Sequence, residues 1–130
     1  MRRAAAGLFI VAGAALTLVS TTGCRTAQSY AGARLSKDQV ATITGDAPLN
    51  GAPLAVLLRK VDRRELGFSE RSAEVLPGKH SLLVDCRIRE TSSTSRHTLE
   101  VEVEAGGRYR LAADAAKGLR SCVDVRMEPE

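Results

Sequence analysis

The chain has 130 residues, 19 Lys and Arg against 15 Asp and Glu, and a formal net charge of +4. That length holds one domain. With no Trp, two Tyr and two Phe, and with charges interspersed rather than gathered in a basic tract, it offers neither the stacking platform nor the cationic stripe of a nucleic-acid surface.

Met1-Arg2-Arg3 is basic, and Ala4 to Val19 is an apolar run relieved only by Gly7, Gly13 and Thr17. This is the layout of a secretory signal. The run is shorter than the ~20 residues that span a bilayer comfortably, and no Lys or Arg cluster follows it as a stop-transfer flank. Ser20-Thr21-Thr22-Gly23 then leads into Cys24.

This stretch resembles the lipobox of bacterial lipoproteins. Thr22, Gly23 and Cys24 match its pattern, and Thr21 stands where leucine is usual. The resemblance implies that residues 1–23 are removed as a signal peptide and that the Cys24 thiol carries a diacylglycerol. Arg25, rather than Asp, follows the cysteine. That resembles an outer-membrane sorting signal, so the expected location is the cell envelope, outer membrane over inner. Two other readings stay open: a retained signal anchor with Cys24 as an ordinary thiol, and cleavage after Ala31-Gly32-Ala33 to release a soluble chain. Cleavage before Cys24 takes away Arg2 and Arg3 and no acid, leaving 17 basic against 15 acidic side chains, a charge of +2.

Arg25 to Asp38 has no steady apolar period, and residues 24–38 read as the lipidated cysteine with a flexible tether. Extended at about 3.3 Å per residue, it would reach on the order of 45 Å. From Val40 the period becomes two, and residues 39–130 read as the folded domain. Val40 to Thr44 is a strand, Gly45 to Gly51 a loop rich in breakers, and Leu54 to Val61 a nearly continuous apolar strand expected in a central position. Arg71 to Leu76 and Lys79 to Glu90 flank Pro77-Gly78, which predicts a hairpin with Val75 opposite His80 and Ala73 opposite Leu82. Leu82, Val84, Cys86 and Ile88 then share the core face.

Thr91 to Ser95 reads as a mobile polar loop. Leu99 to Leu111 predicts a second hairpin through Ala105-Gly106-Gly107, setting Glu104 against Arg108, Glu102 against Arg110, Val103 against Tyr109 and Val101 against Leu111. Ala112 to Gly118 is a short helical turn or a loop. Cys122 to Met127 is the last strand, with Val123, Val125 and Met127 on one side.

Three cysteines are an awkward number in an oxidising compartment. Lipid on Cys24 leaves Cys86 and Cys122 as one possible disulfide, which an exported chain can keep. Two buried thiols or a metal pair are the alternatives, and no CxxC or nearby His at ligand spacing supports a metal.

The expected fold is all-β: a small antiparallel sandwich or open barrel of about six to seven strands. Leu76-Pro77-Gly78-Lys79-His80 and Ala105-Gly106-Gly107-Arg108-Tyr109 resemble the turns of PEGA domains and of many bacterial lipoproteins with a PGxH and aGxxYxl pattern, over roughly Arg71 to Ala113. The resemblance implies a surface or interaction module rather than an enzyme.

The groups that could carry chemistry are His80, His97, Asp85, Asp114, Asp124 and scattered serines, with no GxSxG or Cys/His signature among them. Glu100, Glu102 and Glu104 are accounted for by the arginines expected opposite. Arg59, Lys60, Arg63 and Arg64, with Asp62 and Glu65, form the charge run in which an anionic glycan or lipid headgroup would be sought. The sequence thus favours a non-enzymatic module that is anchored to the membrane through Cys24, needs no cofactor, and meets an envelope protein or glycan. The alternative is a small-ligand binder with its site between the Gly45 to Gly51 and Thr91 to Ser95 loops.

Overall fold

The computed structural model describes residues 7, 13, 25–47, 51–118 and 120–130. The expected lipobox and Cys24 lie outside the described residues, as does the leader apart from Gly7 and Gly13. Among the described residues there are nine strands and no helix: β1 (Arg25–Gln28), β2 (Ala41–Thr44), β3 (Leu54–Val61), β4 (Arg64–Glu65), β5 (Glu70–Val75), β6 (Gly78–Ile88), β7 (Ser93–Val103), β8 (Arg108–Ala115) and β9 (Cys122–Pro129). They form a β-sandwich, with a five-stranded sheet in the order β1-β5-β2-β8-β9 facing a four-stranded sheet in the order β4-β3-β6-β7.

Period-two alternation accounts for most of the packing. Ile43, Ala73, Val75 and Leu111 from the larger sheet meet Val56, Leu58, Val61, Leu82, Val84 and Cys86 from the smaller one in a single apolar cluster. Full burial of each Val, Leu or Ile stabilises the fold by about 1.5–3 kcal/mol. Because these side chains are small, the two sheets need close backbone approaches as well. At Gly45, a Cβ would stand 2.7 Å from the Leu58 amide nitrogen and 3.0 Å from the Val56 carbonyl oxygen, so only glycine fits where β2 ends against β3. In β3, the bulge between Leu58 and Lys60 inserts one residue and so turns Val61 inward, opposite Leu82.

Both expected hairpins are absent. Pro77 and Gly78 carry the chain from β5 in one sheet to β6 in the other, and residues 104–107 do the same between β7 and β8. Val75 therefore lies opposite Ala41 and Ala73 opposite Ile43, while His80 faces Val101 and Leu82 faces Leu99. Alternation states which face a residue takes; it does not name the neighbouring strand. Glycine in the left-handed region serves a corner between sheets as well as a hairpin, and Gly78 (φ 124°) and Gly106 (φ 76°) both do so here. The second corner is braced by β2, since the Gly106 amide donates to the Val40 carbonyl and the Thr42 amide to the Gly107 carbonyl.

With the second hairpin goes its acid-base ladder. Arg108 lies 3.6 Å from Glu130, and Arg110 lies 3.3 Å from Asp46. The sandwich is also not wholly antiparallel, because β1 pairs with β5 and β2 with β8 in parallel.

Three further expectations change. The stretch read as a tether begins with β1, in which Ala27 is 1% exposed, and then folds back with Arg34 donating to the Thr26 carbonyl and the Leu35 amide to the Tyr30 hydroxyl. A four-residue edge strand held by backbone pairing and one buried alanine leaves no apolar period to read. Next, the polar loop ends at Ser92, and Ser93 to Ser95 open β7, which makes a true hairpin with β6. Finally, Ala112 to Ala115 extend β8 rather than forming a helical turn.

β9 is irregular in a way that matters. Asp124 has φ 51°, and the β8–β9 register shifts between Ala112 and Asp114. The alternation is broken there, so Val123 is 44% exposed while Cys122, Val125 and Met127 pack against the core. Cys122 is thereby brought to Cys86 across the sheets, with a Cα–Cα distance of 6.4 Å, and the two form a disulfide.

Closing a loop of 36 residues stabilises the fold by roughly 3 to 4 kcal/mol through the entropy of the unfolded chain. Replacing Cys86 and Cys122 together by Ser is expected to lower the unfolding free energy by about that amount in urea titration. A loss below about 1 kcal/mol would contradict the account.

Candidate functional site

The basic run that begins at Arg59 is not gathered into one patch. Alternation in β3 places Arg59 on the outer face of the smaller sheet, 3.4 Å from the Asp85 carboxylate, and the bulge keeps Lys60 on that face opposite Leu83. Lys60 stands opposite Glu65 in the β3–β4 ladder. Arg63 occupies the two-residue turn with Asp62, and Arg64 points to Glu70 at 3.5 Å. The four neighbouring cationic residues are thus divided: Arg59 and Lys60 share the outer face, while Arg63 lies in the turn and Arg64 is directed to Glu70.

Asp85, one of the groups the sequence offered for chemistry, is engaged in a way that strand alternation alone does not foretell. Its side chain is largely buried although it lies on the outer face, and it receives Arg96 at 2.9 Å as well as Arg59. The Asp85 carboxylate, chiefly through its hydrogen bond and then through its charge, holds the Arg96 guanidinium above its ordinary pKa. A charge pair across β6 and β7, with Arg59 joining from β3, ties together three strands of the sheet.

The two histidines are held differently. His80 Nδ1 lies 2.7 Å from Asp62, and its Nε2 faces the Leu76 carbonyl oxygen. Asp62 also accepts from the Ser81 amide at 3.0 Å. This cluster fastens the β3–β4 turn to the Pro77-Gly78 corner. His97 Nε2 lies 2.9 Å from the Ser95 hydroxyl, two residues away on the same face of β7. Among the described residues no carboxylate pairs with the His97 ring, so this Ser–His contact lacks the third group that orients a catalytic base. Asp114 and Asp124 both bind Arg126, at 3.2 and 3.0 Å, together with Glu128 at 2.8 Å. Among the described residues no group of three His, Cys, Asp or Glu is placed to hold a metal ion.

Two open depressions mark the surface. One, of about 380 Å³, is lined by Gly51, Pro53, Arg89 and Glu90, where an Arg89 hydrogen bond to the Gly51 carbonyl holds the two loops together. The other, of about 360 Å³, lies between the free sides of β7 and β9 and is lined by Leu99, Val101, Val125 and Met127 with Glu100, Glu102 and Arg126. Of the described large apolar side chains, Phe68 is the most exposed, at 77%, in the crossover from β4 to β5. Among the described residues no helix is long and apolar enough to cross a membrane.

Burial alone would raise the Asp62 carboxyl, but the His80 hydrogen bond, the Ser81 amide and the His80 charge outweigh it and hold the group below the usual aspartate range. A lowered carboxylate pKa stabilises the fold above the unfolded value, and that contribution is lost as pH falls through the folded one. Asn tolerates the left-handed backbone that Asp62 adopts at φ 52°, so Asp62→Asn removes the charge and keeps the turn. It is expected to destabilise the protein by up to about 1 kcal/mol at neutral pH, the scale of a partly exposed ion pair. Thermal melts should show the difference vanish below the aspartate range; a difference that persists there would exclude the charge as its origin. In comparisons with protein-family models, curated proteins and solved structures, nothing matches this chain.

Proposed function

We propose that the chain is the precursor of a lipid-anchored cell-envelope protein, whose β-sandwich is a non-enzymatic interaction or structural module. The observation that carries this reading is the order of the leader: Arg2 and Arg3, an apolar run to Val19, then Thr22-Gly23-Cys24. The disulfide supports it, since with Cys86 and Cys122 joined, Cys24 is the one thiol left in the chain, and such a bond suits an oxidising compartment. Two or more acyl chains on Cys24, each buried methylene contributing about 0.8 kcal/mol, would make the anchor effectively permanent. Arg25 after the cysteine favours the outer membrane.

The interaction module is preferred to an enzyme because the groups that could do chemistry are tied up in structural pairs, His80 with Asp62 and Asp114 with Arg126. A second reading, a glycan or small-ligand binder, is favoured by the depression between the Gly51–Pro53 segment and the Arg89–Glu90 turn, the end where such a site is expected.

Cys24→Ala is expected to abolish metabolic labelling with palmitate and to move the protein out of the membrane fraction. Continued labelling of the variant would refute the anchor. The intact mass of the chain from its host's membranes should equal residues 24–130 plus the acyl groups, less two hydrogens for the disulfide.

A further inference from the structure

We infer that one corner of the sandwich, where β1 begins and the β4–β5 crossover carries Phe68, rests on the phospholipid bilayer and inserts Phe68 among the headgroups. The inference rests on the proposed acylation of Cys24.

Its basis is the parallel pairing of β1 with β5, in which Arg25 is the partner of Glu70. In a parallel pair, the chains preceding the two strands leave the sheet at the same end. Cys24 is one residue before Arg25, and Phe68 is two residues before Glu70. With strands about 4.8 Å apart and Cα steps of about 3.8 Å, the start of β1 at Arg25 and Phe68 lie within on the order of 12 Å of each other, and Arg25 is the residue bonded to the proposed anchor.

The crossover is held in place. The Gly67 amide donates to the Glu70 carboxylate, the Glu70 amide donates to the Gly67 carbonyl, and Leu66 is buried beneath. Phe68 is thus presented outward by a fixed turn. An exposed apolar ring beside a lipid anchor suits the headgroup–acyl boundary, where the Phe, Trp and Leu side chains of membrane-surface segments are buried. Three residues further along the chain, Arg71 is exposed and makes no ion pair among the described residues, leaving its guanidinium for a lipid phosphate. Leu76, at the other end of β5, is also exposed, at 42%, and should face away from the membrane.

The chain has no Trp, so Phe68→Trp and Leu76→Trp each give a protein with one indole. The acylated full-length mature variants would be placed in vesicles of phosphatidylcholine and phosphatidylglycerol whose acyl chains carry bromine. The expected result is blue-shifted, strongly quenched emission from Phe68→Trp and unquenched emission from Leu76→Trp. Equal quenching of the two, or none for Phe68→Trp, on a chain whose mass shows acylated Cys24 would overturn the orientation and leave the anchor standing. Unmodified Cys24 in that mass would instead overturn the anchor, and the orientation with it.

Discussion

The contact on which the architecture depends is the meeting of the two inner faces on the side where β6 and β9 are joined by Cys86 and Cys122. Among the described residues the core contains no Trp or Phe and draws chiefly on Val, Leu, Ile and Ala. Such side chains bury less area each than an aromatic ring, so the sheets must approach closely and stay in register. Gly45 permits the approach at the β2 end, and the disulfide fixes the register on the other side. The bond in turn relies on Asp124, whose left-handed backbone breaks the alternation of β9 and brings Cys122 inward. A regular strand with Val123, Val125 and Met127 inward would have turned Cys122 to solvent.

Where strands lie was legible; which strands touch was not. Leu54–Val61 coincides with its expected range, and the core face of Leu82, Val84, Cys86 and Ile88 is as its alternation demands. Those features depend on local periodicity. The partners of β5 and β8 depend instead on whether the chain at Pro77-Gly78 and at Ala105-Gly107 folds back within a sheet or crosses between sheets. Both outcomes use the same residues. What separates them is tertiary: β2 supplies hydrogen bonds to the 104–107 corner, and Asp62 on the β3–β4 turn holds His80 beside the Pro77-Gly78 corner. A bulge such as that at Asp124 is equally silent, since aspartate is at home in many other settings.

The candidate surface was legible in part for a related reason. Arg59, Lys60, Arg63 and Arg64 are close in sequence, yet the β3–β4 turn divides the first two, on the outer face, from the last two. Asp85 reads as one polar residue on a solvated face, and only the register of β6 against β7 and β3 shows that two arginines meet there. Phe68 carried no signal, because a single aromatic residue between a glycine and a serine is as compatible with a core position as with exposure. Its exposure follows from Gly67 and Glu70 closing the turn around it.

β1 has a consequence for range. A free segment of fourteen residues after Cys24 would let the domain search a volume tens of ångströms deep. With Arg25–Gln28 paired to β5, that slack is taken up within the fold. A domain of this size has a radius of gyration of about 13 Å. Were it held at an acylated Cys24, as proposed, it would occupy a layer only one domain thick above a membrane, and anything it meets would have to come down to that layer.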